Sequence, residues 1–177
     1  MGMLVEGNWI ADDQHLRNSG DGNFIRPNTS FRGYVNGSSG FAAEPNRYHL
    51  YVALSCPWAH RTLLLRALKG LEDAIPISIV APWTLENGWT FENYPGATGD
   101  QANGCTYLYE LYLKAHRNYR GRVTVPVLWD TKTNTIVSNE SAEIVRMLNS
   151  EFNAFAHRQT MITIQWNRAA KSTNSTR

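Results

Sequence analysis

The run Tyr48-His49-Leu50-Tyr51-Val52-Ala53-Leu54, passing directly into Ser55-Cys56-Pro57, constrains this chain more than any other stretch. It alternates in the manner of a strand, and residues 59–69 follow as a helix with Leu64, Leu65 and Leu68 on one face. Gly70 reads as the helix stop, and Pro57 suits the first helical turn, where no N–H is needed. Ile75-Pro76-Ile77-Ser78-Ile79-Val80 is a second short strand. Strand, helix and strand at this spacing predict a right-handed parallel unit.

The second half of the chain has a different rhythm. Residues 82–121 form an insertion whose first part, through Gly88, Gly96, Gly99 and Gly104, reads as loop. Within it, residues 108–116 have helical spacing. Residues 122–129 read as a strand entered through Pro126, residues 131–134 as a turn, and residues 135–138 as the returning hairpin strand. Asn139 is placed to cap a last helix over 140–149, with Ile144, Val145 and Leu148 on its buried face. The order is β-α-β then β-β-α: an α/β fold with a mixed four-stranded sheet. Residues 1–46, rich in Gly, Asn, Ser and Asp with aromatics between, read as an irregular arm laid over the domain rather than a packed element.

Composition narrows the function. With 177 residues, 42% hydrophobic and 18% charged, a packed core is expected. Most of the six Trp and eight Tyr read as core or lid packing. The formal charge is +2 without a block of Lys or Arg, which argues against nucleic acid and membrane surfaces as partners. The first residues lack a signal-peptide pattern, and no apolar stretch approaches the ~20 residues that span a bilayer. Only two cysteines, Cys56 and Cys105, are present, so a reducing cytoplasmic setting is expected and a disulfide scaffold is not. On that reading the sequons at Asn28, Asn36 and Asn139 are chance matches. No His or Cys cluster has metal-ligand spacing.

Cys56 carries the chemistry. A thiol acts as a nucleophile only as thiolate, and a helix N-terminus favours the anion through its partial positive charge and free N–H groups. Cysteines so placed reach pKa values of roughly 3.5–7.5, against ~8.5 for a free thiol. An inert buried thiol is the commoner fate of a lone cysteine; the position between strand, Pro57 and helix favours the reactive reading. His60 and Arg61, one turn on, could add positive field. The residue three beyond Cys56 is Ala59, so no dithiol cycle is available and an external thiol, naturally glutathione, must resolve the cysteine. Cys105, in the Gly-rich insertion, reads as incidental.

Two further features suit a peptide-like thiol ligand. Val125-Pro126 precedes a strand, where Pro is a candidate cis peptide that leaves the Val125 backbone free to bond an extended peptide. Ser138-Asn139-Glu140-Ser141 opens a helix whose N–H groups and hydroxyl can hold a carboxylate while Glu140 pairs with an ammonium. Taken alone, the first is also an ordinary Pro at a strand start and the second a simple cap.

At these residues the sequence resembles the glutathionyl-hydroquinone reductases, the Xi-class glutathione transferases. The shared runs are residues 47–52, 55–61 (Ser-Cys-Pro-Trp-Ala-His-Arg), 85–91 (Leu-Glu-Asn-Gly-Trp-Thr-Phe), 94–100, 121–130 and 136–144. The likeness covers about residues 1–155. It implies a thioredoxin-like, glutathione-binding domain over 47–155, with glutathione as co-substrate and no metal. Cys56 would attack the glutathionyl sulfur of an S-glutathionyl hydroquinone, release the hydroquinone, and pass through a mixed disulfide that a second glutathione resolves. The glutathione-holding positions carried over are Trp89, Arg122, Val123, Thr124, Val125, Glu140 and Ser141, with Pro126 structural. Trp89 would cover the ligand, and Arg122 would pair with a carboxylate.

After Phe155 the likeness stops, and residues 156–177 read as a divergent tail with a polar end. The family's helical C-terminal domain, which supplies hydroquinone-binding tyrosines and the contacts of its dimers, is not matched, so no residue takes those roles. The expectation is a truncated or frameshifted member. A monothiol thioltransferase acting on glutathione mixed disulfides, and an inactive glutathione-binding fragment, stay open as alternatives.

Overall fold

The computed structural model describes residues 2–11, 29–36 and 39–159. Strand β1 spans Met3–Val5, β2 Asn8–Ile10 and β3 Tyr48–Val52; helix α1 spans Pro57–Lys69 and strand β4 Ile77–Ile79. Helix α2 (Leu108–Ala115), strands β5 (Gly121–Arg122), β6 (Val127–Asp130) and β7 (Thr135–Ser138), and helix α3 (Ser141–Ser150) follow, with a 3-10 turn at Asn153–Phe155. One sheet has the order β4-β3-β6-β7, with β3 parallel to β4 and antiparallel to β6, and β6 antiparallel to β7. This is the thioredoxin-like arrangement, as expected.

All five residues of β3 are buried although a strand alternates its side chains between two faces. Both faces are therefore covered. Tyr48 meets Phe152 edge-on, with ring centroids 5.4 Å apart. His49 and Tyr51, on the opposite face, meet the insertion: Tyr51 packs on Phe91 and its hydroxyl donates to Asp100 Oδ1 at 2.8 Å. Asp100 also accepts the amides of Ala102, Asn103 and Cys105 at 2.9–3.0 Å, so one carboxylate folds the Gly-rich loop and fastens it to the sheet.

His49 Nε2 lies 2.8 Å from the Ser78 hydroxyl, buried beneath this loop. Burial disfavours the imidazolium more than Asp100 favours it, so the His49 pKa falls to about 4. A folded pKa below the unfolded ~6.5 gives stability that is present above pH ~6.5 and lost as pH falls towards 4. The expected loss is roughly 3 kcal/mol, read as a fall in the urea midpoint over that window. A His49→Gln chain should show a flatter profile there.

On the other side of the sheet α1 and α3 lie parallel, tied at both ends. The Arg61 guanidinium donates to the Ser141 hydroxyl at their first turns. The Lys69 ammonium donates to the Asn149 carbonyl at 3.1 Å and to the Asn153 side chain at their last. Gly70 ends α1 with φ 65°, a left-handed conformation that favours glycine.

Several expected elements differ. The buried stripe of α1 is Ala59, Thr62, Leu65 and Lys69; Leu64 points outward and Leu68 is only partly covered, because the helix packs on both the sheet and α3. The strand expected over 122–129 is two strands, separated by residues 123–126 with a cis Val125–Pro126 peptide. Asn139 is not the cap of α3. Glu140 is, its carboxylate accepting from the Ala142 amide at 3.2 Å, while the Asn139 side chain turns inward. The arm is also less irregular than expected. Strands β1 and β2 form a hairpin whose β1 pairs with β5, and Leu4 is fully buried. Residues 31–35 run beside β7, where the Gly33 amide donates to the Val137 carbonyl at 2.7 Å. The remainder of the arm, 12–28, and the tail beyond residue 159 lie outside the described residues. No helix among the described residues is long and apolar enough to cross a membrane.

Candidate active site

Register places one end of the sheet at the chemistry. Val52 at the end of β3 lies beside Ile79, Tyr51 beside Val127 at the start of β6, and Leu128 beside Ser138 at the end of β7. The segments 53–56, 80–89, 123–126 and 139–141 therefore emerge at the same edge. Crevices outside the carboxyl ends of such strands are the usual ligand sites of α/β sheets.

Cys56 is the N-cap residue of α1, with extended backbone (φ −95°, ψ 114°) and no side-chain capping bond. The first-turn N–H groups of α1 are thus left to stabilise a thiolate or a bound ligand rather than being closed off by a hydroxyl or carboxylate. Cys56 is half-buried, and its Sγ lies 3.8 Å from the Val125 carbonyl oxygen. The Val125 amide makes no backbone hydrogen bond among the described residues. Cys105 is the opposite case: buried, with burial first and then Asp100 pushing its thiol up to about 12. Such a thiol stays protonated at neutral pH.

Of the two basic neighbours of Cys56, Arg61 serves elsewhere. Its guanidinium stacks over Trp58 at 5.0 Å, donates to Ser141, and lies 3.8 Å from Glu140 Oε1. It thereby joins the first turn of α1 to the Glu140–Ser141 corner. Ser141 is buried, and the partly exposed Glu140 holds its own amide on the Ser138 hydroxyl at 3.1 Å.

Trp89 and Arg122 are braced by the N-terminal hairpin. Arg122 stands in β5 opposite Met3. Trp9 of β2 donates from Nε1 to the Glu86 carbonyl at 2.9 Å, stacks on Tyr109 at 4.9 Å, and covers Gly88, where an added Cβ would meet its ring at 2.7 Å. Only glycine fits beneath that ring, and its φ of 69° suits the turn. Trp89 itself is not an exposed cover: it is 7% exposed, and its indole N–H is buried with no acceptor among the described residues. Such a donor is costly to leave unmet.

Tyr112 is not marked by the sequence. It is fully buried on α2, and its hydroxyl donates to the Thr124 carbonyl at 2.9 Å while receiving the Thr124 amide at 3.2 Å and the Asn139 side-chain amide at 3.1 Å. A Tyr on the inner face of a helix reads as packing, and nothing local marks its hydroxyl. Among the described residues no group of three His, Cys, Asp or Glu side chains is arranged to hold a metal ion.

Residues 55–151, more than half of the chain, match the model of the glutathione S-transferase N-terminal domain. The chain is 54% identical over 163 residues to the glutathionyl-hydroquinone reductase YqjG of Escherichia coli, the match covering 87% of this chain and 49% of that protein. It is 47% identical over 152 residues to the glutathionyl-hydroquinone reductase PcpF of Sphingobium chlorophenolicum, covering 86% and 48%. Among solved structures, the Xi-class transferase of Natrialba magadii superposes with TM-score 0.78 at 49% identity, covering 88% of this chain and 47% of that one. The glutathione-bound structure of YqjG gives 0.73 at 51% identity, again with 88% and 47% covered. The chain spans about half the length of the curated relatives it matches.

Proposed function

The chain belongs to the glutathione S-transferase family, on its Xi-class, glutathionyl-hydroquinone reductase branch, and from that premise we propose that it transfers glutathionyl groups through Cys56. The observation that carries the reading is the uncapped Cys56 at the start of α1, 3.8 Å from the Val125 carbonyl that precedes cis-Pro126. An extended cysteinyl peptide laid against Val125 would present its sulfur to Cys56 while Val123 and Thr124 line its path. Glu140 would pair with the ligand ammonium, and Ser141 with the first N–H groups of α3 would take the adjacent carboxylate. Arg122 would hold a carboxylate, and Trp89 would line the pocket wall.

The reaction then runs in two steps. The Cys56 thiolate attacks the sulfur of an S-glutathionyl hydroquinone; the aryl carbon–sulfur bond breaks, the ring carbon takes a proton, and hydroquinone leaves. The resulting Cys56–glutathione disulfide is attacked by a second glutathione thiolate, which regenerates Cys56 and leaves as oxidised glutathione. The ring is reduced and two glutathione sulfurs are oxidised. A reducing, cytoplasmic setting suits a chain whose two cysteines are both free.

A second reading, thioltransfer from small glutathione mixed disulfides, needs only Cys56 and the glutathione site. It is favoured by the half-buried Cys56 at the open start of α1, where the sulfur of a small disulfide could meet it. Trp58 and Leu64 on α1 are about half-exposed, the kind of apolar face a second domain would cover. Rates on a glutathionyl hydroquinone and on a glutathione mixed disulfide, measured side by side, separate the two. Turnover of the first supports the hydroquinone reaction; turnover of the second alone supports thioltransfer.

A further inference from the structure

Two backbone segments assigned above to glutathione, 123–125 and 140–141, are far apart in sequence and belong to different elements. What fixes one against the other is a single hydroxyl. Tyr112 reaches from α2 and closes the Thr124 backbone in both directions, donating to its carbonyl at 2.9 Å and accepting its amide at 3.2 Å. The same oxygen receives the Asn139 side-chain amide at 3.1 Å. Asn139 in turn accepts the Phe31 amide at 3.3 Å on its Oδ1, and its own amide donates to the Phe31 carbonyl at 3.2 Å. The ring of Tyr112 is clamped by Phe31 edge-on at 5.8 Å and by Tyr119 at 5.1 Å.

Burial raises the phenol to about 12, so at neutral pH the hydroxyl keeps the proton that it gives to Thr124. Every bond of the hub is local to the two segments, one residue from Val125 on one side and one from Glu140 on the other. We propose that Tyr112 is a positioning residue of the glutathione site, its hydroxyl holding the Val125 backbone and the Glu140–Ser141 corner at the spacing that one ligand must bridge. This rests on the proposed glutathione reading. The residue touches no reacting atom and acts through Thr124 and Asn139.

The test is glutathione binding to the full chain by calorimetry, before and after Tyr112→Phe. The variant keeps the ring and leaves three buried polar groups without their partner, a change felt where hydrogen-bond geometry is shared. The expected result is a dissociation constant weakened on the order of 10-fold with unchanged stoichiometry. A merely structural role would instead lower the bound fraction and leave the constant as it was, and that outcome overturns the proposal. Asn139→Ala in the same background checks the route: the pair should weaken binding by less than the product of the single effects, as coupled residues do. If the unmodified chain binds glutathione and Tyr112→Phe binds it equally well, the Tyr112 proposal falls alone. An unmodified chain that binds none overturns the site reading together with it.

Discussion

Cys56→Ser is expected to reduce glutathionyl transfer by at least about 10³-fold, to the level of the uncatalysed exchange. Serine keeps the shape of the N-cap, and its hydroxyl can even cap the first turn that Cys56 leaves open. The fold should therefore be intact or slightly more stable. What is lost is the sulfur: an alkoxide is not formed at neutral pH, and no mixed disulfide can be made. Parallel urea melts and turnover assays on both chains check this. Activity within a few-fold of the unmodified chain would move the chemistry away from α1 altogether.

The second large effect concerns stability. Arg47 is the last residue before β3, and its guanidinium forks onto both carboxylate oxygens of Asp130, at 2.9 and 2.7 Å. Asp130 is fully buried at the end of β6, and Arg47 nearly so. Burial alone would raise the Asp130 pKa, but Arg47, the Thr133 hydroxyl and the Lys132 amide outweigh it and hold the carboxyl below its ordinary range. The stability this gives is present above the unfolded carboxylate pKa and is lost as pH falls through the depressed folded one. Arg47 also donates to the Gly40 carbonyl and to Glu44, so it ties the arm, β3 and the β6–β7 hairpin together. Arg47→Met strands a buried charge, and the expected cost is about 3–5 kcal/mol, a large part of the ~5–15 kcal/mol of a typical domain. Arg47→Met with Asp130→Leu should recover much of it, since the loss comes from the orphaned carboxylate. A drop below about 1 kcal/mol for the single variant, read from urea midpoints, would mean the pair is hydrated.

The contrast between these residues shows what the sequence could disclose. The placement of Cys56, Glu140 and Ser141 at helix starts was legible because a strand, a helix start and their punctuation lie within a few residues of one another. Strand β7 was legible for the same reason, bounded by its turn and the following helix. The hairpin β1–β2 was not, because three-residue strands carry no usable period and β1 is stabilised by β5, over a hundred residues away. That pairing also divides 121–130 into two strands belonging to two sheets. Leu64 misled because helical spacing identifies an apolar face without saying which part of it a neighbour covers. Tyr112 and Trp9 make contacts that exist only once the chain is folded. Arg61 adds to the same lesson: its charge was visible, but its direction towards Ser141 was set by the packing of α1 on α3.

Glutathionyl transfer through α1 requires that Cys56, and not Cys105, accept a glutathionyl group. Intact-mass measurement of the full chain after exposure to oxidised glutathione, followed by peptide mapping, addresses it most directly. The expected result is one glutathionyl adduct, on Cys56, removed by added glutathione, with Cys105 unmodified because its thiol is buried and held protonated. A chain that stays unmodified, or one that carries the adduct on Cys105, would contradict it.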